Sequence, residues 1–294
     1  MIDDRRILDA LRAAGITEPP VAAPPLGGGC IHEVRRVDFD TRPSLVAKIG
    51  TGARAGMILE EARSLDALRT TATVPVPDRI GLHRTPDAAV LLLDCLRPGP
   101  PDPDAWRAFG VRLAALHRAD GPGRYGFDTD NHLGTTPQPN AWSDDWVEFN
   151  AQCRLEPQIR RARDAGLLDA GAAARLDLVV DALHRLVPRR PRASLLHGDL
   201  WSGNALTILT DDGPSVAVID PACSYGDGWA DIAMMRLFGG FPASCLDAYA
   251  DAIDDHDDLD ARLAVYRLYH VLNHVNLFGR GYVGSAMDLA ARLV

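Results

Sequence analysis

One segment near residue 200 restricts what this chain can be more than any other part of it. It reads His197-Gly198-Asp199-Leu200-Trp201-Ser202-Gly203-Asn204, and an apolar run ending in Asp220 follows. Phosphoryl transfer needs a carboxylate that accepts the hydroxyl proton, an oxygen ligand for Mg²⁺ shortly after it, and a second acidic ligand on a neighbouring strand. We therefore expect Asp199 to be the catalytic base and Asn204 and Asp220 to hold Mg²⁺.

The only lysine of the chain is the second constraint. Of its 31 basic side chains, 30 are arginine and one is Lys48, which lies in the apolar, β-branched run of residues 45–49. Lysine rarely occurs in a buried strand without a partner. An arginine-biased composition could also leave a single lysine by chance, so its context has to decide.

A predicted helix downstream of Lys48 supplies a carboxylate that could pair with it. Residues 56–69 have helical periodicity, and Glu61 falls on the apolar face of this predicted helix. An unpaired carboxylate there would be costly, so we expect Glu61 to pair with Lys48. Upstream, Gly27, Gly28 and Gly29 form a candidate phosphate-binding loop. The order of glycine loop, lysine, glutamate and H-x-D-x-x-x-x-N motif is that of protein kinases.

The remaining periodicity predicts a small β-rich part followed by a larger helical one. Strands are expected at 34–39, 45–49, 79–82 and 90–93, and helices at 1–14, 56–69, 104–118, 142–165, 169–186, 231–238, 245–253 and 262–278. The proline-rich stretch 97–103 marks the boundary. We therefore predict an α+β, bilobal protein-kinase-like fold, with an N-terminal nucleotide-binding lobe (1–96) and a helical lobe (97–294) that carries the catalytic loop and the acceptor site.

The amino-acid composition restricts the kinds of molecule that this chain is expected to bind. The formal charge of −9 disfavours nucleic acid and anionic membranes, and no stretch approaches the ~20 apolar residues that span a bilayer. The five cysteines are odd in number and scattered, which argues against a disulfide framework. We therefore expect a cytoplasmic protein with no nucleic-acid or membrane partner.

Several further strings resemble one known family. These are the H-G-D-L-W-S-G-N motif with Asn131–Gln138, Arg154–Gln158, Phe238–Phe241 and Leu272–Phe278. Together they are similar to the fructosamine kinase (ketosamine 3-kinase) family, which is related to the aminoglycoside phosphotransferases. The resemblance extends over nearly the whole chain.

The resemblance implies an ATP-dependent kinase with ATP between the two lobes. By position, it implies that Lys48 contacts the ATP phosphates, that Glu61 orients Lys48, and that the hinge facing the adenine is formed by Asp94, Cys95 and Leu96. It also implies that Asp199 is the base and that Asn204 and Asp220 bind Mg²⁺.

The expected acceptor is O3 of a ribulosamine or fructosamine, carried on a small amine or on a glycated protein. Such a phosphate would destabilise the sugar-amine linkage and so reverse glycation. Two alternatives stay open: a kinase of an aminoglycoside or choline-like compound, and a nucleotide-binding pseudokinase. The complete set of catalytic residues argues against the pseudokinase.

The acceptor should meet an aromatic face and a carboxylate. Trp201 beside the base is one candidate, although it could simply pack. Asp227 and Trp229 are others, because the family carries a His-Arg-Glu-like stretch where this chain has Asp227-Gly228-Trp229-Ala230. Three acidic residues at the start of the 142–165 helix are an alternative carboxylate source, or only helix-end charges: Asp144, Asp145 and Glu148.

Two other features have competing interpretations. His270 and His274 have a spacing compatible with zinc, but core packing is the favoured interpretation. Cys30, directly after the three glycines, is either a redox-sensitive thiolate or an inert thiol.

Overall fold

A computed structural model describes residues 4–27 and 31–294, which divide into two compact units. Unit 1 comprises Met1–Asp102 and Leu206–Pro221, and unit 2 comprises Pro103–Ala205 and Ala222–Val294. The strands, in chain order, are β1 (Glu33–Val37), β2 (Leu45–Thr51), β3 (Arg79–Arg84), β4 (Ala88–Asp94), β5 (Asn131–Leu133), β6 (Thr136–Gln138), β7 (Ser194–Leu196), β8 (Ala205–Thr210), β9 (Gly213–Val218) and β10 (Ser224–Gly226).

The helices are α1 (Arg5–Ala13), α2 (Ala55–Thr70), α3 (Pro103–Arg118), α4 (Trp146–Asn150), α5 (Glu156–Asp164), α6 (Ala170–Leu186), α7 (Trp229–Leu237), α8 (Ala243–Ala252), α9 (Leu259–Phe278) and α10 (Val283–Leu293). In the described part of the chain, no helix has the length and apolar character needed to cross a membrane.

Unit 1 is built on a four-stranded antiparallel sheet with the order β1-β2-β4-β3. Successive side chains of a strand point to opposite faces of the sheet, so β4 contributes residues to two hydrophobic clusters. Val90 and Leu92 pack in the cluster that contains Ile7 and Leu11 of α1, whereas Leu91 and Leu93 pack with residues of α2. The sheet therefore has one helix on each face.

The β8–β9 hairpin belongs to unit 1, which differs from the predicted division at residue 96. The segment before α3 pairs with β8: Gly99 N–H donates to the Thr207 carbonyl and Leu209 N–H to the Arg97 carbonyl, both at 2.9 Å. On the other strand, Val218 N–H donates to the Pro75 carbonyl at 2.9 Å. These pairings join segments more than 100 residues apart, and periodicity does not detect them.

Unit 2 is mainly helical. Helix α3 packs on α8, and α9 packs on both α7 and α10. The α3–α8 contact is so close that a Cβ at Gly110 would lie 2.1 Å from the Cys245 carbonyl oxygen. Two short antiparallel pairs, β5–β6 and β7–β10, complete the unit.

The predicted helix 142–165 begins later and is interrupted. It starts at Trp146, because the Asp145 side chain accepts the N–H groups of Val147 (2.9 Å) and Glu148 (3.2 Å) and so caps the N-terminus. A π-helical turn at Ala151–Leu155 separates α4 from α5. It brings Arg154 into the protein interior, where the guanidinium lies 4.5 Å from the Phe149 ring centre.

Candidate functional site

The site of unit 1 centres on Lys48. Lys48 lies on β2 and Glu61 on α2, and Nζ is 2.5 Å from Glu61 Oε1. The ammonium also forms an ion pair with Asp220, which follows β9. Burial alone would lower the pKa of Lys48, but the two carboxylates more than offset this and raise it, so the side chain stays charged. The ion pair predicted between Lys48 and Glu61 is confirmed.

Asp220 has the geometry expected of a functional residue. Its backbone adopts φ +56°, an uncommon conformation for a residue with a side chain, in which aspartate is nevertheless enriched. Its side chain is 43% exposed, unlike the nearly buried Lys48 and Glu61. An accessible carboxylate suits a hard cation such as Mg²⁺, so Asp220 fits the predicted ligand role.

Two segments are predicted to surround the nucleotide, the glycine loop and the hinge, and the structure describes the hinge fully and the glycine loop only in part. Gly27 lies in a turn, while Gly28, Gly29 and Cys30 lie outside the described residues. Asp94 ends β4; its carboxylate accepts the Asp78 N–H at 2.5 Å, and its own N–H donates to the Asp78 carbonyl at 2.9 Å. The next two residues, Cys95 and Leu96, are half-buried. Their role as an adenine hinge stays a prediction.

In unit 2, β7 leads directly into the predicted catalytic loop. Gly198 adopts φ +84°, and a Cβ at this position would lie 2.1 Å from the Ala222 carbonyl oxygen, so only glycine fits. The carbonyl of His197 accepts the Ala222 N–H at 2.9 Å. His197 Nδ1 accepts the Asp199 N–H at 3.3 Å, which gives this histidine a role in shaping the loop.

Asn204 fixes the far end of the loop against Asp199. Its Nδ2 donates to the Asp199 carbonyl oxygen at 2.9 Å and to the carboxylate Oδ2 at 3.4 Å. Because the amide nitrogen faces Asp199, the amide oxygen is the atom that Asn204 offers to a metal ion. Asn204 therefore fits the predicted Mg²⁺ ligand role, and Asp199 is held where its half-buried carboxylate can accept a proton.

A buried aspartate that sequence reasoning missed holds the other end of the loop. Asp231 of α7 accepts the His197 N–H at 2.8 Å and the Gly198 N–H at 2.9 Å, and it is 3.2 Å from His117 Nε2. Burial raises the pKa of Asp231, but the hydrogen bonds that it accepts, above all from His117, help to outweigh this and the pKa is lowered. The sequence does contain a signal for this residue, because Asp231 lies among the apolar residues of α7, between Ala230 and Ile232.

Trp201 projects from the loop and is 42% exposed. Its ring covers Gly203, where a Cβ would lie 2.2 Å from the indole. Its neighbour Ser202 touches the Phe238–Gly240 segment, since a Cβ at Gly240 would lie 2.6 Å from the serine side chain. The predicted catalytic loop is thus adjacent to the end of α7.

An aromatic cluster around His274 of α9 includes Phe238, the residue that follows α7, and sequence analysis did not single it out as a candidate acceptor surface. The ring centre of His274 lies 4.8 Å from that of Phe238, 5.4 Å from that of Phe278 and 5.1 Å from that of Tyr282. Phe238 and Phe278 are 47% and 66% exposed. His274 Nδ1 is 2.8 Å from the His270 carbonyl, so Nδ1 carries the proton and Nε2 is left as an acceptor. We call these four residues the aromatic cluster.

The structure contradicts the predicted acceptor contacts at Asp227 and Trp229. Asp227 is buried, and its Oδ2 accepts hydrogen bonds from Arg262 Nη2 (2.8 Å) and Nε (3.1 Å) and from the Tyr266 hydroxyl (2.5 Å). Trp229 is buried too, and its indole N–H donates to the Asp255 carbonyl at 2.7 Å. Both side chains are engaged inside the protein, so they stabilise the fold instead of facing an acceptor.

The three acidic residues near α4 are helix-end and surface charges. Asp144 pairs with Arg124 at 2.6 Å, Asp145 caps α4, and Glu148 accepts a hydrogen bond from Gln152 at 3.1 Å. Within residues 4–27 and 31–294, no group of three or more His, Cys, Asp or Glu side chains is arranged to hold a metal. His270 and His274 have aromatic neighbours, with the ring centre of Tyr269 at 5.2 Å from that of His270 and the ring centre of Phe238 at 4.8 Å from that of His274.

Comparison with known proteins agrees with this geometry. The fructosamine kinase family model matches residues 12–294. The chain belongs to the fructosamine kinase family. It is therefore an ATP-dependent kinase that phosphorylates a hydroxyl group, with the α+β fold of protein-kinase-like phosphotransferases.

Three relatives illustrate the match. A probable ketoamine kinase of Synechocystis is 39% identical over 265 residues, covering 90% of this chain and 87% of the relative. The chloroplastic protein-ribulosamine 3-kinase of Arabidopsis thaliana is 34% identical over 270 residues, covering 90% and 80%. The crystal structure of a putative fructosamine-3-kinase from Thermobifida fusca has a TM-score of 0.87 and 31% identity, covering 99% and 98%.

Proposed function

We propose that this kinase transfers the γ-phosphoryl group of ATP to O3 of a ketosamine, a ribulosamine or a fructosamine carried on a small amine or on a protein lysine. The observation that carries the proposal is the position of Asp199 in its loop. Asn204 donates a hydrogen bond to Asp199, and Asp231 accepts one from the backbone of Gly198, directly before Asp199. The relatives named ketoamine kinase and protein-ribulosamine 3-kinase support the acceptor class.

Asp199 acts as the base. Its carboxylate accepts the proton of the acceptor hydroxyl as the oxygen attacks phosphorus. The contact with Asn204 limits rotation of the carboxylate, and the anchored backbone limits movement of the loop. Positioning of this kind accounts for much of the rate in phosphoryl transfer, because the protein itself does little covalent chemistry.

Lys48 binds the phosphate chain, and its ion pair with Glu61 fixes the ammonium in place. We propose that Asn204 supplies its amide oxygen and Asp220 its carboxylate to Mg²⁺. When bound, the ion neutralises charge that develops on the phosphoryl oxygens. The partial exposure of Asp220 leaves its carboxylate accessible for this role.

The aromatic cluster and Trp201 form the acceptor surface. A ketosamine carries a basic amine next to a sugar, and aromatic faces bind both cations and the apolar faces of sugar rings. Burial lowers the pKa of His274, so the imidazole is neutral and its Nε2 can accept a hydrogen bond from an ammonium or a hydroxyl. These residues replace Asp227 and Trp229 as proposed acceptor contacts.

Phosphorylation at O3 would make the sugar-amine linkage labile and return the amine unmodified, which is a repair of glycation. We place this reaction in the cytoplasm, where ATP is available and thiols stay reduced. None of the four described cysteines, Cys95, Cys153, Cys223 and Cys245, forms a disulfide.

The test is ATP consumption with Mg²⁺ and five acceptors: a ribulosamine and a fructosamine of lysine, a ribosylated protein, an aminoglycoside and choline. We expect turnover with the ketosamines only, and ³¹P–¹H correlation NMR should place the phosphate on O3. Turnover with the aminoglycoside or choline alone would contradict the proposal. ATP binding without turnover on any acceptor would favour a pseudokinase.

Variants identify the base and the metal ligand. Asp199→Asn should lower kcat by several orders of magnitude while MgATP still binds, because the base acts on the acceptor. Asp220→Asn should also weaken MgATP binding. The matched control is Asp247→Asn, an exposed aspartate on α8. If Asp199→Asn kept more than about a tenth of wild-type turnover, Asp199 would not be the base.

A further inference from the structure

His32 is a half-buried histidine near Lys48, and the mechanism above assigns it no role. It directly precedes β1, in which Val34 lies opposite Lys48 on β2. Opposed residues of an antiparallel pair project on the same face of the sheet, so Val34 and Lys48 share a face. His32 lies in a bend just before β1, two residues from the position opposite Lys48.

The electrostatic surroundings of His32 agree with that placement. The charges of Lys48, Asp220 and Arg54 all act on its ring. Arg54 also binds the adjacent backbone, since its Nη1 donates to the Ile31 carbonyl at 2.8 Å. Burial, followed by the charge of Lys48, lowers the pKa of His32 to about 4, so the ring is neutral near pH 7.

The Nδ1 atom of His32 is shielded from solvent and has no hydrogen-bond partner among residues 4–27 and 31–294. A buried polar atom of this kind is normally paired, and a single missing partner calls for an explanation. A ligand is one such explanation, because the atom lies beside the lysine that binds an anionic phosphate chain. Mg²⁺ is an unsuitable partner, since it prefers oxygen ligands to imidazole.

We infer that His32 is a further nucleotide-binding residue, which donates a hydrogen bond from its imidazole to a phosphate oxygen of bound ATP. Phosphate oxygens only accept hydrogen bonds, and a neutral imidazole can place its one N–H on either nitrogen. Together with Lys48 and Arg54, His32 surrounds the phosphate position with donors. The inference rests on the proposed role of Lys48, but it does not depend on the identity of the acceptor.

The experiment measures nucleotide binding without any acceptor. Calorimetric titrations compare a non-hydrolysable ATP analogue with adenosine, for the wild type, His32→Leu and His32→Gln. Loss of a charge-assisted hydrogen bond should weaken binding of the ATP analogue by about tenfold or more and leave adenosine binding unchanged. His32→Gln keeps an N–H donor and should recover part of the loss. The control is His83→Gln, on β3 of the same unit.

Three results would overturn the inference: unchanged affinity for the ATP analogue in His32→Leu, an equal loss for the analogue and adenosine, or the same loss in His83→Gln. In case His32→Leu fails to fold, the ¹⁵N resonances of the His32 ring in the wild type provide a second measurement. They should shift when the ATP analogue is added and stay in place with adenosine. A chain that binds the analogue through His32 but phosphorylates no ketosamine would leave this inference intact and contradict the proposed acceptor.

Discussion

The carboxylate of Asp231 holds the backbone of Gly198, with Oδ1 accepting the Gly198 N–H at 2.9 Å. Its second oxygen accepts the His197 N–H at 2.8 Å. Both donors immediately precede Asp199, the proposed catalytic base. Asp231 therefore acts on Asp199 through the backbone and is a positioning residue, although it lies 32 positions further along the sequence.

Replacing this carboxylate should impair catalysis more than nucleotide binding. In Asp231→Asn, one of the oxygens that face the two N–H groups becomes an NH₂ donor, so a buried hydrogen bond is lost. We expect kcat to fall about 10- to 100-fold with KM for ATP nearly unchanged, and the free energy of unfolding to fall by about 2 kcal/mol. Steady-state kinetics and urea unfolding measure the two effects. An equal change in kcat and in KM for ATP would argue against a positioning role.

Two residues of the site, Lys48 and Glu61, were predicted from one local rule, that a charge in an apolar element needs a partner, whereas Asp199, Asn204 and Asp220 were predicted from the spacing of the H-x-D-x-x-x-x-N motif and the run that follows it. Lys48 in an apolar strand and Glu61 on an apolar helix face were recognised in this way, and they form an ion pair. Asp231 in α7 obeys the same rule. It was missed because its partners are backbone N–H groups and a histidine, which carry no charge pattern in the sequence.

The prediction at Asp227 failed for a different reason. A local motif does not reveal which way a side chain points, and the partners of Asp227 lie 35 and 39 residues further on, at Arg262 and Tyr266. The grouping of the β8–β9 hairpin with unit 1 likewise depends on distant pairings. Helix α10 and the short strands β5 and β6 were not predicted. Their hydrophobic periodicity is brief or weak, so their structure depends on the parts of the protein that they contact.

The Lys48–Glu61 pair should behave as an energetically coupled unit. Lys48→Met leaves the carboxylate of Glu61 buried without its cation, at a cost of about 3–5 kcal/mol in the free energy of unfolding. The same variant also removes the cation beside Asp220, but this carboxylate is 43% exposed and can be solvated by water in place of the ammonium. The double variant Lys48→Met/Glu61→Leu should regain most of the loss. Urea unfolding of the single and double variants gives the coupling energy, and strict additivity would contradict the coupling.

The buried histidine His270 should make the protein sensitive to acid. Burial lowers its pKa to about 3, so it stays neutral in the folded state while the unfolded chain takes up a proton below about pH 6.5. The unfolded state then binds more protons, and the free energy of unfolding should fall between about pH 6.5 and pH 3. The expected slope for one such histidine approaches 1.4 kcal/mol per pH unit, about the limit for a single proton.

A variant isolates this contribution. His270→Leu cannot be protonated, so its urea unfolding at pH 7, 5.5 and 4.5 should show a shallower dependence on pH than the wild type. His184→Gln, an exposed histidine on α6, is the control and should follow the wild type. Parallel pH profiles for the wild type and His270→Leu would show that the acid sensitivity arises elsewhere.

The last prediction concerns glycation of the enzyme itself and follows from its single lysine. Glycation begins with attack of an unprotonated amine on an aldehyde, and the only ε-amine in this chain belongs to Lys48, which is buried and kept protonated by two carboxylates. After incubation with ribose, Lys48 of the folded enzyme should therefore carry no adduct, and the enzyme should keep its activity. Arg63→Lys introduces an ε-amine at an exposed position of α2, and an adduct should form there. Peptide mass mapping locates the adducts, and modification of Lys48 in the folded wild type would contradict the protection by burial and ion pairing.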